Sequence, residues 1–248
     1  MNLLFLGTGT STGIPQIGCK CNVCTSKNEK DKRLRASVLI TAGNKKILID
    51  CGPDFRQQLL TYKVDRISAV LLTHEHYDHV SGLDDLRPLG KAEVYAEKKV
   101  ITIIERNMPY CFSENKYPGV PLIHLHEINE NEFVIEDLKI QPIRIMHAKL
   151  PILGFRIGNL AYLTDVKTID DASIEQLKNL DVLVLNALRI NNHISHLSLS
   201  EALELAGKIG AKETYFTHIS HDMGLHDVVN QTLPENIQFA YDGMTLNI

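Results

Sequence analysis

Thr73-His74-Glu75-His76-Tyr77-Asp78-His79 is the segment that decides how this chain is read. It follows the apolar run Ile67-Ser68-Ala69-Val70-Leu71-Leu72, which predicts a buried strand. Side chains alternate along a strand, so His74 and His76 point the same way and can hold one cation. Asp78-His79-Val80-Ser81-Gly82 then predicts a turn into a helix, which swings Asp78 and His79 toward a neighbouring position. One short segment thereby offers ligands to two metal ions. Imidazole with carboxylate suits zinc, and also manganese or iron. A chance cluster of surface histidines is the poorer explanation, because the H-x-H-x-D-H pattern is complete and sits where a strand gives way to a loop.

The chain has 248 residues, enough for one large domain or two small ones, and we expect a single domain over residues 1–248. Hydrophobic residues at 44% and charged residues at 23% predict an ordinary soluble core. A formal net charge of −4 argues against broad binding to nucleic acid or to an anionic membrane. No apolar run approaches the roughly 20 residues that span a bilayer. The start, Met1-Asn2-Leu3-Leu4-Phe5-Leu6-Gly7, lacks a basic leader and reads as a first strand, so a cytoplasmic protein is expected. Its five cysteines are then thiols or metal ligands before they are disulfides.

Three of these cysteines lie together in Gly18-Cys19-Lys20-Cys21-Asn22-Val23-Cys24. They supply three thiolates and need a fourth ligand from elsewhere to close a tetrahedral zinc site, in a loop of about residues 13–35. Cys51 and Cys111 are isolated and read as packing residues. Gly7-Thr8-Gly9-Thr10-Ser11-Thr12-Gly13 lacks the downstream spacing of a dinucleotide fold and predicts a tight turn that brings backbone close to a site. Asp50, at the end of a predicted strand, has two equal readings: an acceptor that orients a nearby ligand loop, or an Asx turn before a helix at 53–62. Asp84 and Asp85 lie in a predicted loop and read as helix caps before ligand-supporting groups. Residues 108–121, rich in Pro, Tyr and Asn, are the candidate lid or specificity loop.

The second half repeats the strand-then-helix pattern of the first. Strands are expected at 133–135, 139–146, 154–157, 160–163, 182–186 and 214–217, and helices at 174–179 and 198–209. A last pair, 237–240 and 244–247, is joined across Tyr241-Asp242-Gly243. His124 and His126 alternate along a strand and are read as partly exposed, not as ligands. His74, His147, Asp165 and His218 each fall at or just beyond a strand end. Strand ends on one sheet edge converge on a shared crevice, where such sheets place their ligands.

These residues, in this order, resemble the metallo-β-lactamase superfamily of di-metal hydrolases along essentially the whole chain. The resemblance implies an α+β fold, a four-layer αββα sandwich with the site at the edge between two sheets. It implies that His74, His76 and His147 hold one metal, that Asp78, His79 and His218 hold the other, and that Asp165 bridges them. True β-lactamases lack that bridging aspartate, which argues against antibiotic hydrolysis. A narrower likeness rests on Gly7-Thr8-Gly9-Thr10, the three cysteines, the run His79-Val80-Ser81-Gly82-Leu83-Asp84-Asp85-Leu86-Arg87-Pro88, and Thr217-His218-Ile219-Ser220-His221. These are similar to phosphoribosyl cyclic phosphodiesterases of phosphonate breakdown. That likeness implies a structural zinc on Cys19, Cys21, Cys24 and His221. It also implies that His196 acts at the phosphoryl group, with His193 the weaker competitor.

The expected activity is therefore metal-dependent hydrolysis of a small phosphodiester, with phosphoribosyl 1,2-cyclic phosphate as the named example. The expected cofactors are two divalent ions, Zn2+ or Mn2+, beside the structural Zn2+. Two such ions carry more positive charge than Asp78, Asp165 and one hydroxide remove, and a cationic cleft favours an anionic substrate. In-line attack by hydroxide, oriented by Asp78 or Asp165 and assisted by His196, is the expected chemistry. A tRNA 3′-processing nuclease would need a long basic arm, and neither the insertion nor the charge is present. A thioester hydrolase like glyoxalase II shares the ligands, but the cysteine loop and His196 speak against it. A metal-bound binding protein without catalysis is the alternative of another class. No membrane or nucleic-acid partner is expected, a homodimer is left open, and substrate contacts are placed in 108–121 and around 186–193.

Overall fold

The computed structural model describes residues 1–248. The apolar run ahead of the histidines forms β4 (Ala69–Leu71), all three residues buried. It lies inside a seven-stranded sheet of order β14-β1-β2-β3-β4-β5-β6. The neighbours are β1 (Asn2–Gly7), β2 (Ser37–Ala42), β3 (Lys45–Ile49), β5 (Lys91–Ala96), β6 (Leu122–Glu127) and β14 (Thr245–Asn247). Strands β14, β1, β2 and β3 pair antiparallel, whereas β3, β4, β5 and β6 pair parallel. The second sheet, of order β13-β12-β11-β10-β9-β8-β7, repeats the scheme. Its β7 (Phe133–Ile135), β8 (Leu138–His147), β9 (Leu150–Ile157) and β10 (Leu160–Leu163) pair antiparallel. From β10 onward, β11 (Val182–Asn186), β12 (Glu213–Thr217) and β13 (Ile237–Phe239) pair parallel.

Three hydrophobic clusters order these sheets into four layers. The central one joins Leu3, Phe5, Val38 and Ile49 of the first sheet to Phe155, Tyr162, Val184 and Tyr215 of the second. The outer face of the first sheet packs on α1 (Phe55–Thr61) and α3 (Lys98–Asn107) through Phe55, Leu59, Val100 and Ile104. The outer face of the second packs on α6 (Leu199–Ile209), which presents Ala202, Leu205, Ala206 and Ile209 at helical spacing. Buried on both faces, the parallel strands read as continuous apolar runs, which is why 67–72 and 182–186 stand out in the sequence. This is the expected αββα sandwich.

Four local expectations need correction. Residues 237–240 and 244–247 do not pair: β13 extends the second sheet and β14 pairs with β1 of the first. The turn between them crosses from sheet to sheet because Asp242 is used inside the protein, accepting from the Thr8 hydroxyl and the Leu34 amide at 2.7 Å each. The stretch 82–88 is a 3-10 helix, Leu83–Leu89, capped by Gly82 with no side-chain bond. Asp84 does not cap it, because its carboxylate is held by Arg87 and the Tyr110 hydroxyl. The helix expected at 174–179 is earlier and shorter, α5 (Asp171–Glu175), since Asp170 supplies the N-cap by accepting from the Ser173 amide.

Candidate metal centre

The ligand segment leaves β4, passes His74 and His76 in extended backbone, and turns into α2 (Tyr77–Val80). Two glycines let it dock on the end of β3. A Cβ on Gly52 would collide with the Asp78 carbonyl, and one on Gly82 with the Gly52 carbonyl. Backbone bonds then lock the fit, from the Cys51 amide to the His79 carbonyl at 2.7 Å and from the Gly82 amide to the Cys51 carbonyl at 2.8 Å.

Asp50 orders the segment from beneath. Wholly buried, it accepts from the Thr73 amide at 2.9 Å and the Thr73 hydroxyl at 3.0 Å. Its second oxygen lies 2.7 Å from His79 Nδ1. His79 donates Nδ1–H there, which turns Nε2 toward the site, and despite burial the carboxylates of Asp78, Asp50 and Asp165 raise this imidazole well above the usual histidine value. His74 Nδ1 lies 2.9 Å from the Thr73 hydroxyl, whose own proton goes to Asp50, and so His74 presents a bare Nε2. Of the two readings of Asp50, the orienting acceptor is the one observed.

The second sheet supplies the other wall. His147 ends β8, Asp165 follows β10 and His218 follows β12. His147 Nδ1 donates toward the carbonyls of Asp165 at 3.0 Å and Ser195 at 2.8 Å, freeing its Nε2. Asp165 sits between two groups. Its Oδ2 is 3.8 Å from His74 Nε2, while its Oδ1 is 3.5 Å from His79 Nε2 and 3.3 Å from His218 Nε2. Asp78 Oδ2 completes the second group at 3.2 Å from His79 Nε2 and 3.6 Å from His218 Nε2. Potential ligand atoms of His74, His76 and Asp165 fall within 4.8 Å of one another, as do those of Asp78, His79 and His218, and those of His147, Asp165 and His196. His147 packs beside the first group, its ring centroid 5.1 Å from that of His76.

Asp50, Asp165 and His218, one after each of three strands, adopt left-handed backbone with φ of 63°, 60° and 55°. Each costs on the order of 1 kcal/mol for a residue with a Cβ. The strain turns each chain out of its sheet and keeps it at the crevice.

Electrostatics fits a cation site. Burial alone would raise Asp78 and Asp165, but the imidazoles of His79 and His218 hold both carboxyls well below the carboxylate range. Burial drives His74 far below the usual histidine value. His196 is pushed down to about 3, chiefly by burial against the partial pull of Asp165. In this protein the ring atoms His74 Nε2, His79 Nε2, His218 Nε2 and His196 Nδ1 are buried without a hydrogen-bond partner. Buried polar atoms are seldom left so, and imidazole nitrogens converging on two carboxylates are a donor set that divalent ions take. The residues therefore fit a pair of metal ions.

The cysteine loop makes a separate cluster. Cys19, Cys21, Cys24 and His221 have ligand atoms within 4.8 Å of one another. His221 Nδ1 is 3.4 Å from both Cys19 Sγ and Cys21 Sγ. The Cys24 amide and His221 draw the Cys21 thiol down to about 6. Three thiols and an imidazole suit a closed zinc site. Cys51 and Cys111 are buried, as packing predicts.

Some supporting groups escaped the sequence. The Ser195 carbonyl behind His147 leaves no side-chain signal. Thr164, whose hydroxyl donates to Asp165 Oδ1 at 2.7 Å, and Thr73 each directly precede a ligand and were findable. Asn186, at the head of the 186–193 stretch, has a structural role. It is fully buried, accepting from the Val166 amide at 2.7 Å and donating to the Val166 carbonyl, and so pins the loop that carries Asp165.

Comparison with known proteins agrees with this geometry. The model of the β-lactamase superfamily domain matches residues 45–219. A crystal structure of a diphosphatase from the PhnP family superposes with a TM-score of 0.93 at 40% identity, covering 99% of this chain and 96% of that one. The short form of human tRNase Z superposes at 0.76 over 100% of this chain and 99% of that one, and at 21% identity shows the fold alone. A longer protein of Porphyromonas gingivalis, named an octanoyltransferase, is 47% identical over 250 residues, spanning 98% of this chain. The chain covers only 51% of that relative's length. No helix is long and apolar enough to cross a membrane. With 175 consecutive positions under the family model and both halves of the ligand set in one crevice, this chain belongs to the β-lactamase superfamily and carries its buried His/Asp metal site.

Proposed function

We propose that this protein is a di-metal phosphodiesterase acting on a small anionic diester. The observation that carries the reading is His196. It is buried at the same crevice, with Nδ1 unpartnered 3.8 Å from Asp165 Oδ2 and its ring 4.5 Å from that of His147. Such a group adds to a metal cage what phosphoryl transfer needs: a hydrogen bond to the phosphoryl oxygen and a proton for the leaving alkoxide. His74, His76, His147, Asp165, Asp78, His79 and His218 would hold two divalent ions, which when bound would supply Lewis acidity and water of lowered pKa. Asp78 and Asp165 would hold the attacking water in line, and one of them would take its proton as its oxygen bonds to phosphorus. The bond to the leaving oxygen breaks, and His196 donates the proton that oxygen takes. An anionic substrate beside His196 raises its proton affinity, which suits it to that donation.

A second reading is favoured by the 40%-identical diphosphatase. Its linkage joins two phosphorus atoms, and this site would meet it with the same residues. The octanoyltransferase name is not carried over, because half of that relative lies outside the match. Nor is a thiol placed at the crevice to accept an acyl group: three of the five cysteines surround His221, and the other two are buried.

The test is a panel on metal-loaded protein: bis(p-nitrophenyl) phosphate, a cyclic ribose phosphate, a diphosphate diester and S-lactoylglutathione. Turnover of either phosphate diester class supports the reading and separates its two forms. Activity on the thioester alone overturns it. Silence on all four with a full metal load favours a binding role.

A further inference from the structure

We infer that His193 binds the substrate, its ring taking an oxygen of a second phosphoryl group bridged to the one attacked. This rests on the phosphodiesterase reading and names its substrate class, a diphosphate-linked ester. The ring centroid of His196 lies 4.5 Å from that of His147, 4.9 Å from that of His218 and 5.2 Å from that of His193. Of these four histidines His193 alone is not buried, so it marks where the cluster of rings meets solvent. Its own loop fixes it there. His193 Nδ1 accepts from the Ser195 amide at 3.3 Å, and the carbonyl of that same Ser195 accepts from His147 at 2.8 Å. One residue thereby spaces His193 from His147. At the base of the loop the Leu188 amide donates to the Leu197 carbonyl and the Leu199 amide to the Arg189 carbonyl, at 2.9 Å each. Within the loop Arg189 donates to the carbonyls of Asn191 at 3.2 Å and Asn192 at 2.7 Å. The ring is held in place before any ligand arrives, which lowers the cost of binding one.

Accepting at Nδ1 leaves the one proton of the neutral ring on Nε2. Burial first, and then the charge of Arg189, hold the ring below the usual histidine value, in keeping with that neutral form. The Nε2–H bonds nothing in the protein and, unlike the shut-in nitrogens of the metal centre, is open to solvent. His196 is similar on its outer side: Nδ1 faces Asp165, while Nε2 is unpartnered and open. Two neighbouring rings thus present free nitrogens at one mouth. A ring N–H takes an oxygen acceptor, and the field of Arg189 makes an anionic oxygen the better one. His196 is placed to serve the phosphoryl group under attack. A second phosphoryl group, sharing a bridging oxygen with the first, comes within reach of the adjacent ring, whereas a simple diester would offer only carbon there. His193 also lies in the 186–193 stretch where substrate contacts are expected, and Asn186 at its other end is occupied with the Val166 backbone.

The test is direct binding, read by calorimetry on metal-loaded protein, so that it does not depend on turnover. Adenosine monophosphate and α,β-methylene adenosine diphosphate, whose bridge resists hydrolysis, share a nucleoside and differ by one phosphoryl group. We expect the diphosphate analogue to bind at least about tenfold tighter, the worth of one hydrogen bond to a charged group. The second group can also meet the metal ions, so the His193 variants carry the decision. His193→Ala should cut the preference about tenfold with metal content intact by elemental analysis. His193→Gln, which keeps an N–H donor, should retain most of it. A parent without the preference overturns the inference, and so does a preference that survives His193→Ala. An equal loss in both variants overturns the donor role. Loss of metal in His193→Ala overturns it too, since the residue would then be a prop for His147 through Ser195. The wider phosphodiesterase reading fails separately, by silence on bis(p-nitrophenyl) phosphate.

Discussion

At the scale of single residues, the site separates atoms that hold a cation from atoms that hold the holders. Asp50 belongs to the second kind. One carboxylate fixes the tautomer of His79 directly and that of His74 through Thr73. Replacing it with Ala should leave every ligand in place but let both imidazoles turn. Metal affinity and kcat/KM should each fall about 10- to 100-fold, with titration against a competing chelator and steady-state kinetics as the checks. His196 belongs to neither kind in the proposed reading. His196→Ala should lower kcat about 100- to 10,000-fold with metal content intact by elemental analysis. A loss of bound metal in that variant would make His196 a ligand, which its place beside His147 and Asp165 also allows geometrically. The ligands themselves were legible because histidine and aspartate at strand ends are rare enough to notice. The orienting groups were half-legible: Asp50 announced itself as a strand-end carboxylate, but nothing in a sequence marks the Ser195 carbonyl. The left-handed backbone at Asp50, Asp165 and His218 was hidden too, since residues with a Cβ give no sign of positive φ.

At the scale of elements, the loop holding Cys19, Cys21 and Cys24 is tied to the segment after β12 twice over. The first tie is His221. The second is Arg33, buried, which donates to the Thr8 hydroxyl at 2.7 Å, the Ala240 carbonyl at 2.6 Å and His226 Nδ1 at 2.9 Å. Accepting from a guanidinium requires His226 to be neutral. Burial first, then Arg33 and Lys30, hold it down to about 4, against the weaker pull of Asp227 and Asp31. A depressed histidine favours the fold above its unfolded value near 6.5, and that stability is lost as the pH falls from there toward 4. The loss is worth up to about 3 kcal/mol. Asp242, raised to about 6 by burial, works in the opposite sense over much of the same range. Comparing variants isolates the histidine. His226→Gln keeps an acceptor for Arg33 but cannot protonate, so its Tm should fall less than the parent's between pH 7 and pH 5. An unchanged difference in Tm would mean that His226 is not the titrating group. None of this network was visible beforehand, because Arg33 and Asp31 look like ordinary surface charges until the fold buries them.

At the scale of the molecule, the metal centre spans the two sheets. His74, His76, Asp78 and His79 come from the first, and His147, Asp165 and His218 from the second. Direct backbone bonds cross nearby, from the Leu153 amide to the Thr73 carbonyl at 3.1 Å and from the Ile219 amide to the Thr8 carbonyl at 2.9 Å. The paired repeat of three antiparallel and three parallel steps was readable only as an echo between halves. Which sheet each strand joins depends on contacts far apart in sequence, and so the crossing at 241–243 was misjudged while the layer order was not. Because the candidate ligands are divided between the sheets, ions bound at the centre would act as a clasp on the sandwich as well as in the proposed reaction. Folded chain binds them and unfolded chain does so far less, so an ion present at 100 times its Kd adds about 2.7 kcal/mol per site. For a chain of this length each kcal/mol moves Tm by about 2–4 °C. Removing metal from the His/Asp centre alone should then lower Tm by roughly 5–11 °C per ion, beyond whatever the thiolate site contributes. The Cys21→Ser variant, measured with and without chelator, separates the two: its residual chelator-sensitive drop belongs to the clasp. A variant whose Tm no longer responds to chelator would locate the stabilising ion at the cysteines, and would leave the two sheets held together by the Phe5, Phe155 and Tyr162 core alone.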